Sequence, residues 1–121
     1  MKILSDGEPI ELFHDFLTAH MHDGKIDFDG LFCVTDSLAF EVLHMLGSLG
    51  IHAPDDIQVI GFDGINRLGY KGYTCSSILQ PAADMAETCV DILLQEKGIS
   101  KHPLICLPVS FVQGETTHSI I

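Results

Sequence analysis

The stretch that decides the fold is GLFCVTDSLAFEVLHMLGSLGIHAPDDIQVIGFDG, residues 30–64. Its first part, 30–35, is an apolar run without alternation, which is typical of a strand covered on both faces. Apolar residues then recur at helical spacing over 37–49, and a second apolar run follows over 57–62. This order predicts a strand–helix–strand unit with a right-handed crossover and two parallel strands.

The segments on either side extend this unit. Before it, we expect a short strand over 2–5 and a helix over 9–22. After it, we expect a brief strand over 75–80 and a helix over 81–97. The tail over 104–114 is extended, and the proline within it indicates either the edge of a sheet or a change of sheet. Alternating strands and helices predict an α/β fold in which a parallel sheet is sandwiched between helices.

The composition limits the classes of function. Hydrophobic residues make up 46% of the 121 residues, too many for a disordered chain. No apolar run approaches the roughly 20 residues of a membrane helix, and the first residues do not resemble a secretory signal, so we expect a cytoplasmic protein without membrane contact. Seventeen acidic residues against six basic ones give a net charge of −11, which repels phosphate, so this chain alone is not expected to bind DNA.

Cysteine and histidine spacing predicts neither disulfides nor a metal site. The cysteines occur singly in or beside apolar stretches and are interpreted as buried reduced thiols: Cys33, Cys75, Cys89 and Cys106. His20 and His22 are expected on a helix that Asp23-Gly24 ends, where a spacing of two residues points the rings to different faces. We interpret them as a solvated helix end, with no metal and no cofactor.

Two aspartates follow the two central strands. Asp36 and Asp63 are expected at the carboxyl edge of the sheet, where ligands bind in such folds. Asp36 opens a predicted helix, so the simplest interpretation is that it caps that helix. No helix follows Asp63, so its carboxylate is expected either to form a tight turn or to accept hydrogen bonds from the hydroxyl groups of a polar ligand.

Enzymatic motifs are absent from the sequence. It contains no G-x-S-x-G elbow, Walker A loop, G-x-G-x-x-G or H-E-x-x-H, so no catalytic residue is predicted. The two aspartates leave one enzymatic alternative, an α/β phosphoryl-transfer protein that uses Mg²⁺.

Four segments occur in a characteristic order: TDSLA, GIHAPDDI, VIGFDG and ILQP. Together they resemble the effector domain of lactose-repressor (LacI) family transcription regulators over residues 30–117. Within that family, the sequence resembles regulators of sugar-utilisation operons, including those for sucrose. The resemblance implies a periplasmic-binding-protein-like fold of type I, whose two lobes close over a saccharide effector. It also implies a homodimer that contacts DNA through an amino-terminal domain.

The same resemblance implies that this chain is a carboxyl-terminal fragment of the effector-binding domain. Residues 1–74 and 103–121 would belong to the second lobe, and residues 75–102 would cross to the first. The apolar stripe of the helix over 81–97 would then need a new cover: Met85, Cys89 and Leu93. An alternative is an interaction and dimerisation module that does not bind ligand.

The resemblance also assigns roles to individual residues. Asp63 matches the aspartate of the G-[FY]-D motif that hydrogen-bonds effector hydroxyls. Thr35 and Asp36 stand at the neighbouring strand end as further ligand-binding candidates. The dimer interface is expected on one stripe of the helix over 37–49: Phe40, Leu43 and Gly47.

Overall fold

A computed structural model of the protein describes residues 2–4, 10–65, 74–94 and 104–119. The strands within these ranges are β1 (Lys2–Leu4), β2 (Met21–His22), β3 (Lys25–Ile26), β4 (Gly30–Cys33), β5 (Gln58–Asp63), β6 (Ser76–Leu79) and β7 (Ser110–Val112). The helices are α1 (Ile10–Ala19), α2 (Asp36–Ser48) and α3 (Ala82–Leu94). No helix in these ranges is both long enough and apolar enough to cross a membrane. Most of the predicted loop over 65–74 and the predicted helical end over 95–97 lie outside the described residues.

The main sheet has five strands in the order β1-β4-β5-β6-β7. The first four run parallel, and β7 pairs antiparallel with β6 at the edge. The α/β fold with a mainly parallel sheet is therefore confirmed, as is the edge position of the tail. Strand β6 lies in this sheet beside β5. The crossing of residues 75–102 to a first lobe stays a prediction.

The core lies between one face of the sheet and helices α1 and α2. Burial alternates along the central strands, with Leu31, Cys33 and Val59 buried on the α2 face. On the opposite face Phe32 and Phe62 are half-buried, with ring centroids 6.4 Å apart in an edge-to-face contact. The expectation of strands covered on both faces is therefore wrong for the described residues. The pleat directs successive side chains to opposite faces of the sheet, and only the face that packs against α1 and α2 is fully buried.

Helix α1 is shorter than the sequence predicts. It ends at Ala19, and the chain turns back as the two-stranded β2–β3 hairpin. Asp23 and Gly24 have φ angles of 53° and 76°, so they form the turn of this hairpin rather than the end of a helix. The prediction failed because paired positive-φ residues serve both as helix terminators and as hairpin turns.

The same hairpin changes the interpretation of the neighbouring histidines. His20 Nδ1 lies 2.7 Å from Asp27 Oδ1, and His22 Nε2 lies 3.4 Å from Asp27 Oδ2. The two imidazoles therefore share one carboxylate, and the expected helix end is wrong. Within the described ranges, no three His, Cys, Asp or Glu side chains are grouped as a metal site.

Helix α3 contributes no buried residue to the chain. Its expected inward stripe is exposed, with Met85 at 43% and Leu93 at 79% exposure. The sequence pattern is amphipathic, but the described residues offer it no cover, so these side chains remain accessible.

The cysteines fall into two classes. Cys33 is buried, and burial raises the pKa of its thiol from 9.0 to about 12. Burial also raises the pKa of the Cys75 thiol from 9.0, while a hydrogen bond from the Thr116 hydroxyl opposes the shift. Cys89 and Cys106 are exposed, so the interpretation of all four as buried is wrong. All four are free thiols.

The raised pKa of the Cys33 thiol predicts that alkaline pH destabilises the folded chain. Because the folded chain keeps this proton while an unfolded thiol loses it above pH 9.0, the stabilisation is complete below pH 9 and is lost as pH rises towards about 12. We expect the free energy of unfolding to fall by up to about 1.4 kcal/mol per pH unit in that window. Urea unfolding between about pH 8 and pH 11 measures this slope.

Two cysteine variants serve as controls for that slope. Cys33→Ala should reduce the slope, with the Cys75 thiol accounting for part of what remains, whereas Cys89→Ala, at an exposed position, should leave it unchanged. Equal slopes in the wild type and Cys33→Ala would contradict the assignment to Cys33.

Candidate functional site

Strand β5 ends at the carboxyl edge of the sheet in an unusual backbone turn. Asp63 has a φ of 111°, and Gly64 follows with a φ of 70°. Positive φ is disfavoured for an aspartate and natural for a glycine. A Cβ added at Gly64 would also lie 2.5 Å from Leu79 Cδ1 on the neighbouring strand. Gly64 is therefore required both for its φ and for its closeness to β6.

The Asp63 carboxylate is half-buried and accepts a hydrogen bond from a side chain that directly follows the neighbouring strand β6. Its Oδ1 accepts a hydrogen bond of 2.6 Å from Gln80 Nε2. The partner is a side chain 17 residues further along the chain and not a backbone group of the same turn. This geometry differs from the local turn that one interpretation of Asp63 required.

The Asp36 carboxylate lies beneath this turn and is only 2% exposed. Its Oδ2 accepts a hydrogen bond of 2.7 Å from the Ile65 backbone N–H. Its Oδ1 accepts one of 2.6 Å from the Ser77 hydroxyl, which in turn accepts one of 3.0 Å from the Gly64 N–H. Asp36 and Ser77 thus bind the two residues that follow Asp63.

Thr35 caps helix α2, so the prediction that Asp36 does so is wrong. The Thr35 hydroxyl accepts a hydrogen bond of 3.1 Å from the Leu38 N–H. One residue later, the Asp36 side chain points towards the sheet, where two long-range donors meet it. The sequence allowed either residue to cap, because threonine and aspartate are both favoured at this position.

The structure brings the ligand-binding candidates to one edge but gives them different environments. Thr35 follows strand β4, and Asp63 ends the neighbouring parallel strand β5. Asp36 contacts the turn after Asp63 from the interior. A direct contact between ligand and Thr35 or Asp36 stays a prediction.

A cavity of about 340 Å³ lies beside the Asp36 network, over β6 on the α2 face of the sheet. Its lining includes Phe40, Ser77, Leu79 and Gln113. Asp36, Gly64 and Ile65 also line this cavity, whereas Asp63 does not.

The three predicted interface residues lie in different environments. Leu43 is 3% exposed and belongs to the core, so its assignment to an interface is wrong. The pattern misled because an apolar helical position looks the same whether it faces the sheet or another chain. Phe40 and Gly47 are half-buried, and their role stays a prediction.

Sequence reasoning missed two residues of this site, Ser77 and Gln80. Two adjacent serines open a strand that is otherwise apolar, and both are buried. Buried hydroxyl groups need partners, so this pair was the available signal. Gln80 stands directly after the strand, at the same edge as Asp63.

Comparisons with known proteins agree with this architecture. Residues 11–117 match the family of the periplasmic binding protein-like domain. The Ribose operon repressor of Bacillus subtilis is 38% identical over 93 residues, which are 74% of this chain and 28% of that repressor. The Sucrose operon repressor of Pediococcus pentosaceus is 29% identical over 92 residues, with the same two coverages of 74% and 28%.

A solved structure shows the same fold. The periplasmic binding protein/LacI transcriptional regulator from Alkaliphilus metalliredigens, complexed with D-xylulofuranose, is 28% identical and superposes with a TM-score of 0.68. The match covers 93% of this chain and 40% of that one. This chain spans 28% of the length of each of the ribose and sucrose operon repressors. It belongs to the periplasmic binding protein-like domain family and, within that family, to the effector-binding domains of LacI-type transcription regulators.

Proposed function

We propose that this chain forms part of the effector-binding domain of a sugar-responsive transcriptional repressor, with Asp63 as a ligand-binding carboxylate. The position of Asp63 carries the proposal: it ends a parallel strand at the carboxyl edge, where α/β folds bind ligands. Gln80 donates a hydrogen bond to its Oδ1, and we propose that a hydroxyl group of the sugar donates to its Oδ2.

A sugar supplies suitable donors. Each hydroxyl group donates one hydrogen bond, and a bond to an ionised carboxylate is stronger than one between neutral groups. The names of similar proteins support a five-carbon sugar, because one is a ribose operon repressor and another is a regulator complexed with D-xylulofuranose. Sucrose is the second candidate, supported by the similarity to a sucrose operon repressor.

The repressor function needs parts beyond this chain. The net charge of −11 opposes contact with phosphate, so DNA binding is proposed for a separate basic domain of the same protein. Sugar binding would favour one arrangement of the protein over another and thereby change its affinity for DNA. We also propose a homodimer and a cytoplasmic location, and no catalytic step.

The alternative is an interaction module that does not bind ligand. The exposed apolar side chains of α3 favour it, because apolar surface of this kind is found at sites of association. The two functions differ in one measurable property, which is sugar affinity.

Asp63→Asn tests the proposal in the protein expressed from its complete gene. Asparagine keeps the size but removes the charge, and charge-assisted hydrogen bonds contribute about 1.5–3 kcal/mol each. We therefore expect the affinity for D-ribose to fall by about ten- to a hundredfold in titration calorimetry.

Asp55→Asn is the matched control, since it makes the same change at an exposed loop position and should leave the affinity unchanged. The thermal midpoint of Asp63→Asn should stay close to that of the wild type. Absence of binding of both D-ribose and sucrose to the wild type would overturn the sugar-responsive function and favour the interaction module.

A further inference from the structure

The conformation of Asp63 requires support from its surroundings. Its φ of 111° is rare for any residue other than glycine, and such a conformation persists only where neighbouring groups hold it. The direction of the Asp63 carboxylate follows from this backbone conformation. Whatever holds the turn therefore also aims the ligand-binding group.

The buried Asp36 carboxylate supports the turn after Asp63, in addition to the Gln80 amide that donates to the Asp63 side chain. The N–H groups of Gly64 and Ile65, directly after Asp63, both point into the interior. Asp36 Oδ2 accepts from Ile65 at 2.7 Å, and Ser77, which donates to Asp36 Oδ1 at 2.6 Å, accepts from Gly64 at 3.0 Å. The Asp36 carboxylate is thus the common acceptor at the end of both connections.

We propose that Asp36 is a positioning residue for effector binding, which holds the turn after Asp63 so that the Asp63 carboxylate faces the sugar. This inference rests on the proposed function of Asp63. At 2% exposure, Asp36 contributes to effector binding through the turn and through Ser77. Ser77 carries the second connection, and it lines the cavity of about 340 Å³.

A double-mutant cycle separates positioning from general stability. Asp36→Asn offers one acceptor oxygen where the carboxylate offers two, so one of the two donors loses its partner. In the protein expressed from its complete gene, we expect Asp36→Asn to weaken D-ribose binding by about tenfold. In the Asp63→Asn background the same substitution should have little further effect, because the group that it positions is already impaired.

Amide hydrogen exchange provides a readout without ligand. Asp36→Asn should accelerate exchange of the Ile65 or Gly64 amide while the amides of β4 keep their protection. A merely structural role would instead raise exchange across the whole sheet.

Ser77 supplies a second pair of variants if Asp36→Asn does not fold. Ser77→Ala removes the acceptor of the Gly64 N–H and should weaken D-ribose binding. Ser77→Thr keeps the hydroxyl, and the adjacent cavity has room for its methyl group, so it should restore the affinity.

The outcomes separate this inference from the proposed function. Additive losses in the cycle, or unchanged affinity in Asp36→Asn and Ser77→Ala while Asp63→Asn binds weakly, would overturn the positioning role alone. Unchanged D-ribose affinity in Asp63→Asn itself would overturn the proposed function, and the positioning role with it.

Discussion

We expect the Leu43→Glu variant to be largely unfolded. Leu43 is 3% exposed in the cluster that joins α2 to the sheet. Truncating a buried leucine costs about 2–5 kcal/mol, and an unpaired buried carboxylate adds further cost. The sum is comparable with the total stability of about 5–15 kcal/mol that is typical of a domain. Far-ultraviolet circular dichroism and urea unfolding at micromolar concentration would measure the loss.

Gly47→Glu is the control for this variant, one turn further along α2. A Cβ added at Gly47 meets no atom within 4 Å, so the folded chain should accept it. If Gly47 lies in a dimer interface, as the resemblance implies, sedimentation should show weaker self-association of a folded protein. A Leu43→Glu variant with wild-type stability and weaker assembly would instead place Leu43 at the interface.

We expect Gly61→Ala to lower the free energy of unfolding by about 3–5 kcal/mol. The added methyl group would overlap the Asp36 carboxylate and lie 3.2 Å from Asp36 Cα, a backbone atom that cannot move cheaply. Displacing this carboxylate breaks its hydrogen bonds to Ser77 and Ile65 in the interior. Overpacking and lost charge-assisted bonds therefore act together.

Gly30→Ala is the matched control for that prediction. Gly30 is also a strand glycine, but an added Cβ would lie 3.7 Å from Gln58 O, an ordinary contact distance. The free energy of unfolding of Gly30→Ala should differ from that of the wild type by no more than about 1 kcal/mol. Equal and small losses in both variants, measured by urea unfolding, would show that the Asp36 carboxylate moves aside at no cost.

Local pattern was sufficient for the elements around β4, α2 and β5. Unbroken apolar runs and helical spacing are properties of neighbouring residues, so they predicted the parallel unit and its carboxyl edge. The position of Asp63 at that edge followed from the order of elements alone. The same reasoning was weaker for α1, whose apolar positions continue into the hairpin although the helix ends at Ala19.

The environment of each site residue depends on contacts between distant parts of the chain. The hydrogen bond from Ile65 to Asp36 spans 29 residues, and the bond from Ser77 to Asp36 spans 41. No local pattern distinguishes an aspartate that caps a helix from one that turns inward to meet such donors. For this reason Asp36 was expected to cap α2, whereas its side chain is buried and accepts hydrogen bonds from Ile65 and Ser77.

The sequence by itself determined the α/β class, the family segments and the edge where Asp63 lies, because spacing and order record which backbone conformations neighbouring residues favour. Only the tertiary structure decided that Leu43 is core, that α3 is exposed and that Asp36 and Ser77 hold the turn after Asp63. Burial and hydrogen-bond partnership are relations between residues far apart in the chain, and they exist only once the sheet and α2 have packed together.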